Sequence, residues 1–452
     1  MKDKKNIIIR NRTKSRFSFF SFEGNYLLFF IAVVFYGQMR LMFGLTPRHI
    51  AIMVMLMVCI KEDNGLIPMG RIMKAYLVFI LAFIGSALIT GFLSQLLITY
   101  YIAACVGYWA TKILIKKYDH GKFLLKIIIS IGILNAIITI GQTLNIPYAD
   151  QFVSFVHLKL PVKYLEKMNE QGSGDMALML TRPGLFNSAV YNGYFLMTAG
   201  IASLQLLVYR FRPFSLVPWI INTIGCFCVQ ERSPIIILVV LSAFAFYKIL
   251  FYKKRHYILL LIGFFLIMAY IARFFAYVLP ERMEKDSLQT NTITRYEDDD
   301  EPSSGLISYT QIVKDSRFGE IGLDDTGRGD IYQITIGYLM DHPLVGGYHR
   351  LVRIHEIAPH NLFLNAFIYG GLVGGCAILL ILFWQIKPLW RVFIRKVAAT
   401  NPVCFFLGLA YVAFTLNSFL HNRSIVTGDE LLWMMWAGFY YEYRKYFTTP
   451  KL

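Results

Sequence analysis

The sequence predicts an all-α, polytopic membrane protein. Three observations predict it. Apolar segments of bilayer-spanning length recur along most of the chain, lysine and arginine gather in every second connection between them, and the two longest connections are polar and fall on the alternate side. Segments of roughly 20 apolar residues, the length that crosses the hydrocarbon core, begin near Tyr26, Ile50, Ala75, Leu96, Phe123, Val190, Phe214, Ile235, Tyr257, Asn361, Pro402 and Leu431. They predict about twelve transmembrane helices with two long extracytoplasmic loops, the larger carrying a short surface helix.

In chain order, residues 1–24 read as a basic cytoplasmic tail and 25–146 as the first five transmembrane helices. Residues 147–185 read as an outer loop, 186–279 as helices six to nine, 280–360 as the larger outer loop and 361–447 as helices ten to twelve. The cations of Lys2 to Arg16, Lys61 to Lys74, Lys112 to Lys126, Arg210 and Arg212, Lys248 to Arg255, Lys387 to Lys396 and Arg444 to Lys451 occupy alternate connections. By the positive-inside rule those connections and both termini are cytoplasmic. The formal net charge of +17 is then the topogenic signal, with contact to anionic headgroups, and calls for no nucleic acid. The basic amino terminus runs into a long apolar segment without a small-residue cleavage pattern, which predicts a retained signal anchor.

The six cysteines, Cys59, Cys105, Cys226, Cys228, Cys376 and Cys404, all fall in apolar segments, where a thiol is a small hydrophobe. They predict neither a disulfide framework nor a metal site. The run Glu297-Asp298-Asp299-Asp300-Glu301 in the larger loop lacks the spacing of a cation-binding loop and reads as a solvated stretch. Further on, Asp330, Ile331, Ile334, Tyr338 and Leu339 recur at helical spacing and end at His342-Pro343. This predicts an amphipathic helix on the outer membrane surface with Arg328 at its start. No internal repeat and no paired broken segments occur, which disfavours an inverted-repeat transporter. The alternative of another class, a lipid-linked oligosaccharide flippase or other transporter, predicts ionisable residues near the middle of the segments, whereas those of the candidate site gather at the outer ends.

Where the larger loop re-enters the membrane stands His360-Asn361, then nine residues, Gly371, two more, and Gly374. Ahead of it come Arg182-Pro-Gly-Leu-Phe, Glu231-Arg232-Ser233, Gly327-Arg328-Gly-Asp and Pro343-Leu-Val-Gly-Gly. In this order the motifs resemble those of the O-antigen ligase and O-antigen polymerase superfamily, over roughly Arg182 to the carboxyl end. The earlier segments match only in hydropathy.

The resemblance implies a metal-independent, inverting glycosyltransferase of the bacterial inner membrane with no cofactor. Such enzymes move a glycan from undecaprenyl diphosphate to an acceptor hydroxyl on the periplasmic face. The acceptor is a lipid A core sugar for a ligase and a second lipid-linked glycan for a polymerase. The spacing of Arg182 and Gly193, with ten residues between, resembles the polymerase branch, whereas the His360 motif leans to the ligase.

A diphosphate leaving group without a metal needs guanidinium groups, which stay protonated and present a planar fork. Arg182, Arg232 and Arg328 are the candidates. An attacking hydroxyl needs a base titrating near neutrality, and His360 is the candidate. Asn361 would orient the acceptor or cap the following helix. Gly370, Gly371, Gly374 and Gly375 form a small-residue face for a neighbouring helix or the isoprenoid tail. An arginine at a membrane boundary is also often a plain interfacial anchor. Arg273 would snorkel outward or join the diphosphate site. Arg350 and Arg353, with His342, His349 and His355, crowd the approach to His360 and suit an anionic sugar or lipid better than zinc. His421, ahead of Asp429 and Glu430, is a second acid/base candidate.

Overall fold

The computed structural model describes residues 21–34, 46–63, 70–91, 94–144, 146, 148–149, 151–153, 184–186, 189–209, 213–229, 231–252, 263, 270, 328–354, 359, 361–395, 397–420 and 424–448. Among them every regular element is helical: α1 (Phe22–Val34), α2 (Pro47–Glu62), α3 (Arg71–Ile89), α4 (Gln95–Lys116), α5 (Gly121–Thr143), α6 (Ala189–Ser203), α7 (Val217–Val229), α8 (Arg232–Tyr252), α9 (Arg328–Asp341), α10 (Leu362–Ile394), α11 (Pro402–Ser418) and α12 (Glu430–Thr448). Single turns lie at Gln205–Tyr209, Pro213–Leu216 and Val397–Thr400, and a π-helical turn at Tyr348–Ile354.

Five segments are long and apolar enough to cross a bilayer: Arg71–Ile89, Gln95–Lys116, Gly121–Thr143, Arg232–Ile249 and Leu362–Ile394, with mean hydropathy between 1.3 and 2.4. Phe22–Val34, Phe214–Val229 and Pro402–Ser418 are shorter apolar helices. The apolar segments near Ile50, Val190 and Leu431 also form helices, and the segment beginning near Tyr257 lies mostly outside the described residues.

The sequence marks several helix starts locally. Thr46 accepts from the backbone of His49 while the His49 ring meets the Thr46 N–H, a reciprocal cap with Pro47 in the first turn of α2. Ser94 caps α4 and Asn401 caps α11, again with proline next in sequence. These caps matter more in lipid than in water, because no solvent satisfies an orphan N–H there.

Packing sorts the helices into two neighbourhoods. α3 lies along α10 and α4 along α12, while α7 fits against both α5 and α6, and α11 bridges α6 to α12. The core is unusually aromatic, with Tyr76, Tyr101, Trp433, Trp436 and Tyr411 all fully enclosed. Tyr76 and Trp433 sit 4.2 Å apart between centroids. Outside, Leu81, Leu88 and Phe383 are more than 60% exposed, as side chains facing hydrocarbon would be.

The two ends of the bundle differ in chemistry. At one end, Lys112 pairs with Asp63, Lys117 with Glu62, Lys445 with Asp119 and Glu442, and His120 with Glu23. Burial works against the charge on Asp63, but donation from Lys112 and Trp109 prevails and holds its carboxyl below the usual range. This is the basic end. The opposite end holds the start of α2, the turn at Gly184, the α7–α8 hairpin, the approach to α10 and the α11–α12 hairpin.

Candidate functional site

The site is built from the end opposite the basic one. Residues Gly184 to Phe186 form a buried, non-helical turn among helices. Backbone of that kind survives beside lipid only when protein satisfies its polar groups. Here Gln142 accepts from the Gly184 N–H at 2.9 Å and Asn135 from the Leu185 N–H at 2.7 Å. Asn135 in turn donates to Asn192 at 2.6 Å, and Asn192 donates to Thr139 at 2.9 Å. Gly184 has φ +57°, and a Cβ there would meet the Asn135 side-chain oxygen at 2.4 Å. The two anchors of the turn, Asn135 and Gln142, stand seven residues apart on α5, so it lies along roughly the last 10 Å of that helix. Three residues of the Arg182-Pro-Gly-Leu-Phe pattern are thus a fixed structural feature, while Arg182 itself lies outside the described residues.

The next motif opens α8. Arg232 is its first residue and is exposed, and Ser233 donates to the Asn417 side-chain oxygen at 2.7 Å. Asn417 also accepts on its carbonyl from the Tyr194 hydroxyl at 3.1 Å, so this one buried residue joins α6, α8 and α11. Its amide nitrogen has no hydrogen-bond partner among the described residues. Glu231, just before Arg232, is half-buried, and burial pushes its carboxyl above the ordinary range. Gly193, the glycine of the Arg182 spacing, is a packing contact: a Cβ would stand 3.1 Å from Pro234 and 3.5 Å from Glu231.

The predicted surface helix is α9, beginning at Arg328 and ending beside His342. Its backbone is described from Arg328, whose side chain lies outside the described residues. The buried stripe is shifted from the expected one, because Thr335 is enclosed and Ile334 is 45% exposed. α9 packs on α10, so the buried face follows that contact. His342 stacks on Tyr338 at 4.5 Å.

The Pro343-Leu-Val-Gly-Gly turn then docks into a break in α10. Gly371 has φ +57° and ψ −160° within the helix, the Leu372 N–H donates to the Pro343 carbonyl at 2.7 Å, and the Gly347 N–H donates to the Ile368 carbonyl at 2.9 Å. Ser86 of α3 donates to the Val345 carbonyl from the other side. The four glycines are therefore not one face, as expected from their spacing. Gly370 and Gly374 admit Phe79 of α3, Gly375 lies under Phe367 of its own helix, and Gly371 makes the break.

Asn361 caps α10, its side chain accepting from Phe363 at 2.9 Å and Leu364 at 3.2 Å. Phe363 packs on Phe419 at 5.0 Å, two residues beyond Asn417. The starts of α8 and α10, bearing Arg232 and Asn361, thereby both meet the last turn of α11. Arg350 is exposed on the π-helical turn. His360, Arg273 and His421 lie outside the described residues, as does the side chain of Arg353, and Pro359 beside His360 is buried. No group of three His, Cys, Asp or Glu residues among the described ones is placed to hold a metal.

Sequence reasoning missed Asn417, the Asn135 network and a buried ion pair. Arg48 is 3% exposed, stands 2.8 Å from Glu430, donates to the Val33 carbonyl at 2.7 Å and lies 4.0 Å over the Tyr100 ring. The available signal was an arginine and a glutamate at apolar boundaries of the same end. No protein-family model and no curated protein matches the chain.

Proposed function

We propose that the chain is an O-antigen ligase-like glycosyltransferase of the bacterial inner membrane. It would transfer a glycan from undecaprenyl diphosphate to a sugar hydroxyl of lipid A core on the periplasmic face. The supporting observation is that the starts of α8 and α10, which bear Arg232 and flank His360, meet the last turn of α11 at the end opposite the basic one. α9, opening at Arg328, packs on α10, and the turn following Arg182 is clamped between α5 and α6.

The chemistry assigns each group one task. The acceptor oxygen attacks the anomeric carbon, the bond from that carbon to the diphosphate breaks with inversion, and the hydroxyl proton passes to His360. The departing undecaprenyl diphosphate gains negative charge, which Arg182, Arg232 and Arg328 would meet with bidentate hydrogen bonds. Asn361 has its side-chain oxygen committed to the helix cap, which leaves its amide N–H groups for a sugar hydroxyl.

The test is a deletion strain complemented with variants and read on a lipopolysaccharide ladder gel. A ligase loses all polymer from lipid A core while lipid-linked chains persist, and core carrying a single repeat means a polymerase instead. His360→Ala abolishes transfer with normal insertion. Arg328→Lys is severely impaired because a point charge does not replace the fork. Near-normal ladders from both variants would reject the mechanism.

A further inference from the structure

The basic end carries a cleft that the site above does not use. It has a volume of about 880 Å³ and lies between α3, α10 and α12, with Arg71, Lys387, Trp390 and Tyr443 in its wall. That volume is within the usual range for a small-molecule pocket, roughly 300–1,000 Å³. No carboxylate lines it, and the described residues offer Arg71 and Lys387 no ion-pair partner, in contrast to Lys112, Lys117 and Lys445 nearby. A third cation backs the wall, where Arg391 donates to the Tyr443 hydroxyl at 3.1 Å. The cleft is a site of uncompensated positive charge.

Its other wall is apolar and continuous with a second feature. Phe383, Ile386, Lys387 and Trp390 recur at the i, i+3, i+4, i+7 spacing that defines one helix face. Phe383 and Ile386 also line an apolar groove of about 370 Å³ between α10 and α11, walled by Leu382, Leu389 and Val412. From Leu379 to Leu389 the groove follows α10 for about 15 Å. Pro388 adds a polar detail at the junction: having no N–H, it leaves the Trp384 carbonyl without its helical donor. A cationic cleft that runs into a hydrocarbon-lined furrow matches a molecule with an anionic head and an acyl tail.

We propose that this cleft binds an anionic phospholipid of the leaflet at the basic end. Its phosphate sits on Arg71 and Lys387, and one acyl chain lies along the groove between α10 and α11. The charge imbalance chooses an anionic over a zwitterionic lipid, and the attached groove chooses a lipid over a free anion. This proposal is independent of the transferase reading, because it concerns the opposite end of the bundle.

The experiment uses the full chain, delipidated in detergent and titrated with phosphatidylglycerol, phosphatidylcholine or inorganic phosphate. Binding is read by native mass spectrometry and by the thermal unfolding midpoint. Phosphatidylglycerol should bind and raise the midpoint. The double variant Arg71→Ala/Lys387→Ala should weaken that binding roughly twenty- to thirtyfold, since each cation near an anionic headgroup contributes about fivefold. Both residues are exposed, so the variant should keep its fold. Lys387→Glu, measured separately, should weaken binding further than Lys387→Ala. Equal binding of phosphatidylcholine, equal phosphatidylglycerol binding by wild type and double variant, or a midpoint rise with inorganic phosphate alone would each overturn the proposal.

Discussion

Replacing Gly371 by alanine tests how the approach to His360 is held. At φ +57° and ψ −160° the backbone is in a region that only glycine occupies readily, and another residue costs about 1–3 kcal/mol there. An added Cβ would lie 2.0 Å from the Leu344 carbonyl oxygen, a backbone atom that can retreat only if the docked turn moves. Undocking breaks the Leu372-to-Pro343 and Gly347-to-Ile368 hydrogen bonds, each contributing about 0.5–1.5 kcal/mol. Together these give a destabilisation of about 2–6 kcal/mol.

The assay is thermal unfolding in detergent followed by size-exclusion chromatography, with Gly85→Ala as the comparison. Gly85 has nothing within 4 Å of its would-be Cβ and sits inside α3, so alanine there should be neutral or stabilising by up to about 1 kcal/mol. Gly371→Ala should lower the midpoint by about 2–6 °C. Equal midpoints for the two variants would refute the idea that Gly371 is required for its conformation.

Two further outcomes follow from the same end of the bundle. Asn135→Leu keeps the branching at Cγ but strips the acceptor from the Leu185 N–H and the donor from Asn192, leaving two buried groups unpaired at about 1–3 kcal/mol each. Faster proteolysis at the Gly184 turn reports the loss, and wild-type protection would show that the clamp is dispensable. Glu231 has a raised pKa in the folded chain, so the folded state binds its proton more tightly than the unfolded state does. Its contribution is therefore complete below the ordinary carboxylate value and is lost as pH rises through the raised one. Glu231→Gln should remove that fall, so the midpoint difference between variant and wild type grows in the variant's favour from about pH 4 toward neutrality. A difference that does not change with pH would contradict the burial effect.

Much of the helical skeleton was legible because hydropathy over twenty residues is a summed, local signal. The segments near Ala75, Leu96, Phe123, Ile235 and Asn361 became α3, α4, α5, α8 and α10, each long and apolar enough to cross a bilayer. A helix over Ile331 to Leu339 was legible from its spacing, but its buried stripe was not, because Thr335 is enclosed where the hydropathy pattern favours Ile334. The glycine quartet read as one face because Gly371 and Gly374 share the spacing of helix contacts. Nothing local distinguishes a glycine that admits Phe79 from one that breaks a helix. Asn135 and Asn417 were invisible for a third reason: their partners, Leu185 and Ser233, lie far away in the chain, and a lone amide in an apolar stretch carries no period.

The uneven use of charge connects the two ends. Burying an unpaired charge costs far more than burying an amide, whose needs a single hydrogen bond can meet. At the end opposite the basic one, irregular backbone is held by Asn135, Gln142 and Asn192, and Asn417 ties α8 to α11, all neutral; among the described residues Arg48 is the arginine of this end engaged in the packing. Arg48 marks the contrast, since Glu430 neutralises it inside the core. A charge already compensated in this way has little left for a ligand. Arg232, by contrast, is exposed at the start of α8. Neutral amides hold the backbone there, and under the proposed transferase reading that leaves Arg232 for the anionic leaving group.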